Sequence, residues 1–238
     1  MYYLYYNPTF FCLLMVAMIL GFVAQAAVKS KFNKYAKVRT MRGLTGAQAA
    51  REILDANGLY DVTIEESKGF LSDHYDPRSR TLRLSPDVAR QASISAVGVA
   101  AHESGHAIQH AQGYVPLKLR SAIVPAVQLG TWLGPLIIIS GLGLEFLMQS
   151  TGLGLGIAWL GVGLYALVAF FSVVTLPVEL DASARAKKLL YQYNIVDKQE
   201  LAGVSSVLNA AAWTYVVAAI AALLELARWV LILMARRR

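Results

Sequence analysis

From Ser121 to Val178 the chain carries a single charged side chain, Glu145. No soluble fold leaves so long a stretch almost uncharged. It is long enough for two membrane crossings at about 20 residues each. It divides into residues 121–142 and 153–176, with a short glycine-bearing turn, residues 143–152, that holds no Lys or Arg. The expected arrangement is a transmembrane hairpin.

Two further apolar runs flank it. Residues 9–28 carry no charge and are followed at once by Lys29, Lys31, Lys34, Lys37, Arg39 and Arg42. No basic residue precedes this run and it is long for a signal peptide, so it reads as an uncleaved anchor. Residues 213–234 are apolar apart from Glu225 and Arg228, which stand three apart and can pair on one helical face. Hydrophobic residues make up 56% of the chain and charged ones 16%. Soluble domains run nearer about 45–50% and about 25%. That balance excludes an ordinary soluble domain, a disordered chain and a disulfide-rich scaffold. The lone cysteine, Cys12, cannot form an internal disulfide. The net charge of +7 fits basic loops that report topology and touch anionic lipid. The expected partner is the lipid bilayer, not nucleic acid.

Basic residues also set the orientation. Residues 29–120 hold 14 of them, residues 177–200 hold four and the hairpin turn holds none. The basic segments are expected in the cytoplasm, with the N-terminus outside. If residues 213–234 cross fully, Arg236, Arg237 and Arg238 end up outside. Either the rule is overridden there or that helix does not fully cross.

Residues 29–120 have the pattern of a small polar domain. Helix periodicity runs over 45–57, with Gly58 as a stop. Residues 62–64 suggest a short strand, 73–80 are turn-rich, 81–85 alternate like a strand with one wet face, and Ser85-Pro86-Asp87 reads as a helix start. The expected fold is a mainly α membrane protein. About four membrane-associated helices accompany a small cytoplasmic α+β domain. The segments are an anchor (1–28), the polar domain (29–120), the hairpin (121–176), a further helix (177–200) and a C-terminal membrane helix (201–238).

Residues 93–112 read as a helix and contain His102-Glu103-Ser104-Gly105-His106. Histidines four apart share a helical face, so two imidazoles can hold one zinc ion. Glu103 lies close enough to hold and deprotonate a water on that ion. Three of the chain's four histidines fall in this helix, which makes a chance match a weak explanation. Catalytic zinc takes three protein ligands and one water. His110 sits two turns from His102, about 12 Å along the axis, too far to share an ion easily. Glu179 is the better third ligand. Thr175 can cap and Pro177 suits a first turn, so a new helix is expected to begin there with Glu179 in its first turn. Asp181 is the rival ligand, about 200° round the helix.

Together these residues resemble the YugP-type bacterial membrane zinc metallopeptidases and, more distantly, the HtpX-type membrane gluzincins. The resemblance runs through DHYDPRSRTLRLS (73–85), AAHESGHAIQH (100–110), the hairpin, PVELDASARA (177–186) and VLNAAAWTYVVAA (207–219). It implies a zincin-like catalytic domain. It also implies one zinc ion per chain held by His102, His106 and Glu179, with Glu103 as general base. HtpX-type enzymes carry an Asp four residues after the Glu ligand to orient a histidine. Here that position is Ser183, so Asp181 or a backbone carbonyl is the alternative partner. The resemblance also points to 81–85 as an edge strand for extended substrate. His74, Asn209 and Tyr215 can offer a donor to the oxyanion, and Tyr215 equally suits an aromatic membrane belt.

The expected function is a membrane-embedded zinc endopeptidase of the bacterial inner membrane, multi-pass, with its zinc site on the cytoplasmic side. Its substrates would be proteins or peptides, membrane and misfolded proteins among them. One alternative is a non-catalytic membrane protein with a structural zinc, which would need His110 or His74 as a fourth ligand. Another is a transporter using Glu145, Glu225 and Arg228.

Overall fold

A computed structural model describes residues 8–69, 72–148 and 152–235. In chain order the elements are α1 Pro8–Ala36, α2 Gly46–Ala56, β1 Thr63–Glu66, β2 His74–Asp76, β3 Thr81–Leu84, α3 Pro86–Ala89, α4 Ile94–Ala111, α5 Val115–Leu147, α6 Leu153–Gln192 and α7 Lys198–Ala235. Four of them, α1, α5, α6 and α7, are long and apolar enough to cross a membrane. The chain divides into two compact units. The first gathers the described parts of 1–22, 119–176 and 215–238, and the second 23–118 and 177–214.

In the first unit, Ile138 and Leu142 of α5, Ala158 and Val162 of α6, and Trp229, Ile232 and Leu233 of α7 form one buried cluster. The hairpin closes tightly because its contact residues are small. A Cβ on Gly154 would lie 2.4 Å from the Gly141 carbonyl oxygen, so only glycine lets these backbones approach. The other face of α5 leaves Leu129, Trp132, Leu136 and Ile139 exposed, as a lipid-facing surface requires. The hairpin turn is shorter than the glycines suggest. Helix α5 continues through Gly143 to Leu147. Buried Glu145 then accepts hydrogen bonds from the backbone N–H groups of Gly152 (3.2 Å) and Leu155 (3.1 Å). A carboxylate on the last helical turn thus satisfies donors at the start of the next helix, where apolar surroundings offer no substitute. Glu225 and Arg228 pair on α7 as their spacing suggests.

The second unit holds the sheet and α4. Thr45 and Gln48 form a capping box at the start of α2, a device worth about 1 kcal/mol. The strand order is β1-β3-β2, with β3 parallel to β1 and antiparallel to β2. The 81–85 segment is therefore the central strand and not an edge. Its alternating pattern revealed a strand but could not reveal that β1 pairs along its second side. Among the described residues the edges are β1 and β2, and β2 lies within the stretch that reads as turns.

Helix α4 runs through the middle of this unit. Val97, Ala101 and Ile108 face one apolar cluster with α2, α6 and α7, while Ala100 and Ala107 face another with the sheet and α1. A helix buried on several sides needs small apolar residues all round, which is what precedes the histidines. Two long helices extend further than expected. Helix α7 begins at Lys198, where Asp197 and Glu200 cap each other reciprocally. Helix α6 runs through Pro177 without restarting. Among the described residues Thr175 Oγ1 has no hydrogen-bond partner, so it caps nothing. A restart would leave several helix-end backbone groups unpaired next to an apolar segment, a larger cost than the single bond that Pro177 removes.

Candidate metal centre

His102 and His106 sit one turn apart on α4 with ring centroids 4.8 Å apart. Helix α6 passes close beside them. Gly105 makes that possible, because a Cβ there would lie 2.8 Å from the Ala182 carbonyl oxygen. Ala182 is three residues after Glu179, so the same approach delivers the Glu179 carboxylate to the histidines. Its Oε2 stands 3.2 Å from His102 Nε2 and 3.5 Å from His106 Nε2. The three residues offer ligand atoms within 4.8 Å of one another. On a tetrahedron with ligand distances of about 2.0–2.1 Å, neighbouring ligand atoms stand about 3.3 Å apart. The spacing and the two-nitrogen, one-oxygen donor set therefore fit zinc.

Each imidazole is oriented from behind. Ser183 Oγ lies 3.1 Å from His102 Nδ1, and Gln109 Oε1 lies 3.0 Å from His106 Nδ1. Both Nε2 atoms are thereby turned toward Glu179. Gln109 is fully buried, and its amide donates to the Val178 carbonyl and to Asp181 Oδ2, each at 2.8 Å. Asp181 also accepts from Arg185 Nε at 2.5 Å. The rival ligand thus faces a different set of partners from Glu179.

The electrostatics favour a cation here. Burial works against charging His106, but the hydrogen bond to Glu179 and the charge of Glu103 outweigh it and raise its pKa. A bound metal ion satisfies the same field. Glu103 is buried and, among the described residues, has no hydrogen-bond partner within the chain, so its carboxylate remains available to a water. Nearby Asp73 holds the end of β3 by accepting from Ser85 N (2.7 Å) and Ser85 Oγ (3.0 Å). Burial pushes its carboxyl pKa up, the Ser85 bonds oppose this, and the charge on Glu103 adds to the rise.

The family model described as "Putative neutral zinc metallopeptidase" matches residues 10–234. The chain belongs to this family. It is 46% identical over 223 residues to "Putative membrane protease YugP" of Bacillus subtilis (strain 168), covering 94% of this chain and 96% of that one. No solved structure matches it. The four long apolar helices and this relative agree in making the family member a membrane protein.

His110, His74 and Asn209 have partners of their own. His110 Nδ1 meets the Tyr75 hydroxyl at 2.9 Å, and His74 Nδ1 meets the Ser72 carbonyl at 2.9 Å. Asn209 Oδ1 accepts from Lys187 Nζ at 3.4 Å. Tyr215 is half-buried on α7. Ser183, not Asp181 or a carbonyl, is the partner of His102. Sequence reasoning passed over Gln109, although its position three residues after His106 puts it on the same helical face. Its uncharged side chain gave no sign that it would be fully enclosed.

Proposed function

We propose that this chain is a zinc-dependent endopeptidase of the bacterial cell membrane, with one zinc ion held by His102, His106 and Glu179. The observation that carries this reading is the buried group of three ligand atoms within 4.8 Å of one another. A structural zinc needs a fourth protein ligand, whereas a catalytic one leaves a position open. The two other histidines are engaged with Tyr75 and Ser72, which supports the open site. A bound zinc ion supplies Lewis acidity, which activates water and polarises a carbonyl.

The chain's own residues do the rest. Glu103 takes a proton from the attacking water and passes it to the leaving amine nitrogen. Ser183 and Gln109 hold the imidazoles in the tautomer that leaves Nε2 free to bind. β2 is a better docking strand for extended substrate than β3. It pairs on one side only among the described residues, and Tyr75 ties it to α4 through His110. Tyr215 remains the sequence-based candidate for the oxyanion donor. The excess of basic residues in 29–120 and 177–200 supports a cytoplasmic zinc site.

Metal removal tests this reading. Purified protein in detergent should carry about one zinc per chain and hydrolyse casein. Phenanthroline should abolish hydrolysis and added zinc should restore it. Hydrolysis that persists after all metal is removed would refute the proposal.

A further inference from the structure

We propose that the C-terminal end of α1 is a binding site for anionic phospholipid headgroups. Helix α1 continues without a break from the charge-free run ending at Val28 to Ala36. Lys29, Lys31 and Lys34 lie on that extension, Lys37 follows it at once, and all four are exposed. No Asp or Glu occurs between Lys29 and Arg51. Among the described residues none of the four lysines pairs with a carboxylate. Four unneutralised cations therefore stand within about 12 Å of helix axis, just past the hydrocarbon.

The direction of the helix matters. Side chains on an α-helix lean toward its N-terminus, and here the N-terminus is the membrane end. Lysine stems thus point back toward the headgroup layer, about 5–7 Å thick on each face. The segment is also anchored. The Thr40 N–H donates to the Ala92 carbonyl at 3.1 Å and the Ile94 N–H to the Val38 carbonyl at 2.9 Å, fixing the basic stretch to the start of α4. Beside it lies a groove of about 380 Å³ lined by Phe32, Asn33, Ala36, Lys37, Asp87 and Gln91. Asn33 and Lys37, with Lys29, share one helical face at four-residue intervals. They suit a phosphate, while Asp87 can accept from headgroup hydroxyls. Each basic residue near an anionic surface adds to the attraction, and salt weakens it.

The test uses the full chain in phosphatidylcholine bilayers, with spin-labelled phosphatidylglycerol and spin-labelled phosphatidylcholine as probes. The anionic lipid should associate at least about fivefold more strongly, and the preference should shrink in high salt. Combined Lys29→Gln, Lys31→Gln, Lys34→Gln and Lys37→Gln should bring the ratio to within about twofold of unity. Lys187→Gln with Lys188→Gln should leave it unchanged. If the fourfold variant does not fold, each single substitution should lower the ratio in part. Three results would overturn the proposal. One is a wild-type ratio near unity. Another is a preference untouched by every α1 substitution or carried by Lys187 and Lys188. The third is a preference abolished by soluble glycerol phosphate at constant ionic strength, which would mark a soluble phosphate site instead.

Discussion

At the residue scale the His102, His106 and Glu179 group is held in place by side chains that are not themselves candidate ligands. Gln109 is enclosed and joins His106 to Val178 and Asp181. Gln109→Ala should lower zinc affinity about 10- to 100-fold, the usual loss when a ligand's hydrogen-bond partner is removed. Ser183→Ala should weaken it less, because a hydroxyl is one rotatable contact and Gln109 is held by three. Competition with a chelator of known affinity measures both. Among carboxylates, Glu179→Ala should lose most of the zinc. Asp181→Ala should lose less, because its contact reaches His106 only through Gln109, and His110→Ala should lose least. Equal losses for Glu179→Ala and His110→Ala would show that another ligand set holds the metal.

At the scale of elements the decisive contact is α4 against α6 at Gly105. Gly105→Ala forces a methyl group onto the Ala182 carbonyl, 2.8 Å away. Overpacking of this kind costs about 1–3 kcal/mol. It should also separate Glu179 from the histidines, so thermal stability and zinc content should fall together. A variant that keeps full zinc occupancy would contradict the role given to this crossing. The motif helix itself was legible in the sequence, because its histidine spacing and its small, apolar surroundings both follow local rules. The sheet was legible only in part. β3 shows alternation, but its central position depends on β1, a pairing no local pattern reveals. β2 has three residues, His74-Tyr75-Asp76, too few for periodicity to show. Pro177 misled for a related reason. Its local preference for a helix start is outweighed by the cost of unpaired backbone beside a membrane segment.

For the whole molecule the membrane-spanning regions were the plainest message of the sequence, since hydropathy is summed over about 20 residues. Orientation rests on charge alone and can be measured directly. With Cys12 replaced by Ser, a cysteine introduced beside Glu145 should react with an impermeant reagent in intact cells, and one introduced at Ser72 should not. The reverse labelling would move the metal centre to the other side of the membrane. The central proposal is that a metal held by His102, His106 and Glu179 serves catalysis, with Glu103 as the base. The most direct test is Glu103→Gln, with zinc content and peptide hydrolysis measured on the same preparation. The substitution keeps the size and some of the hydrogen bonding, removes the base and leaves His102, His106 and Glu179 in place. Zinc occupancy should remain full while hydrolysis falls at least about 100-fold. Hydrolysis equal to wild type, with zinc retained, would contradict the proposal.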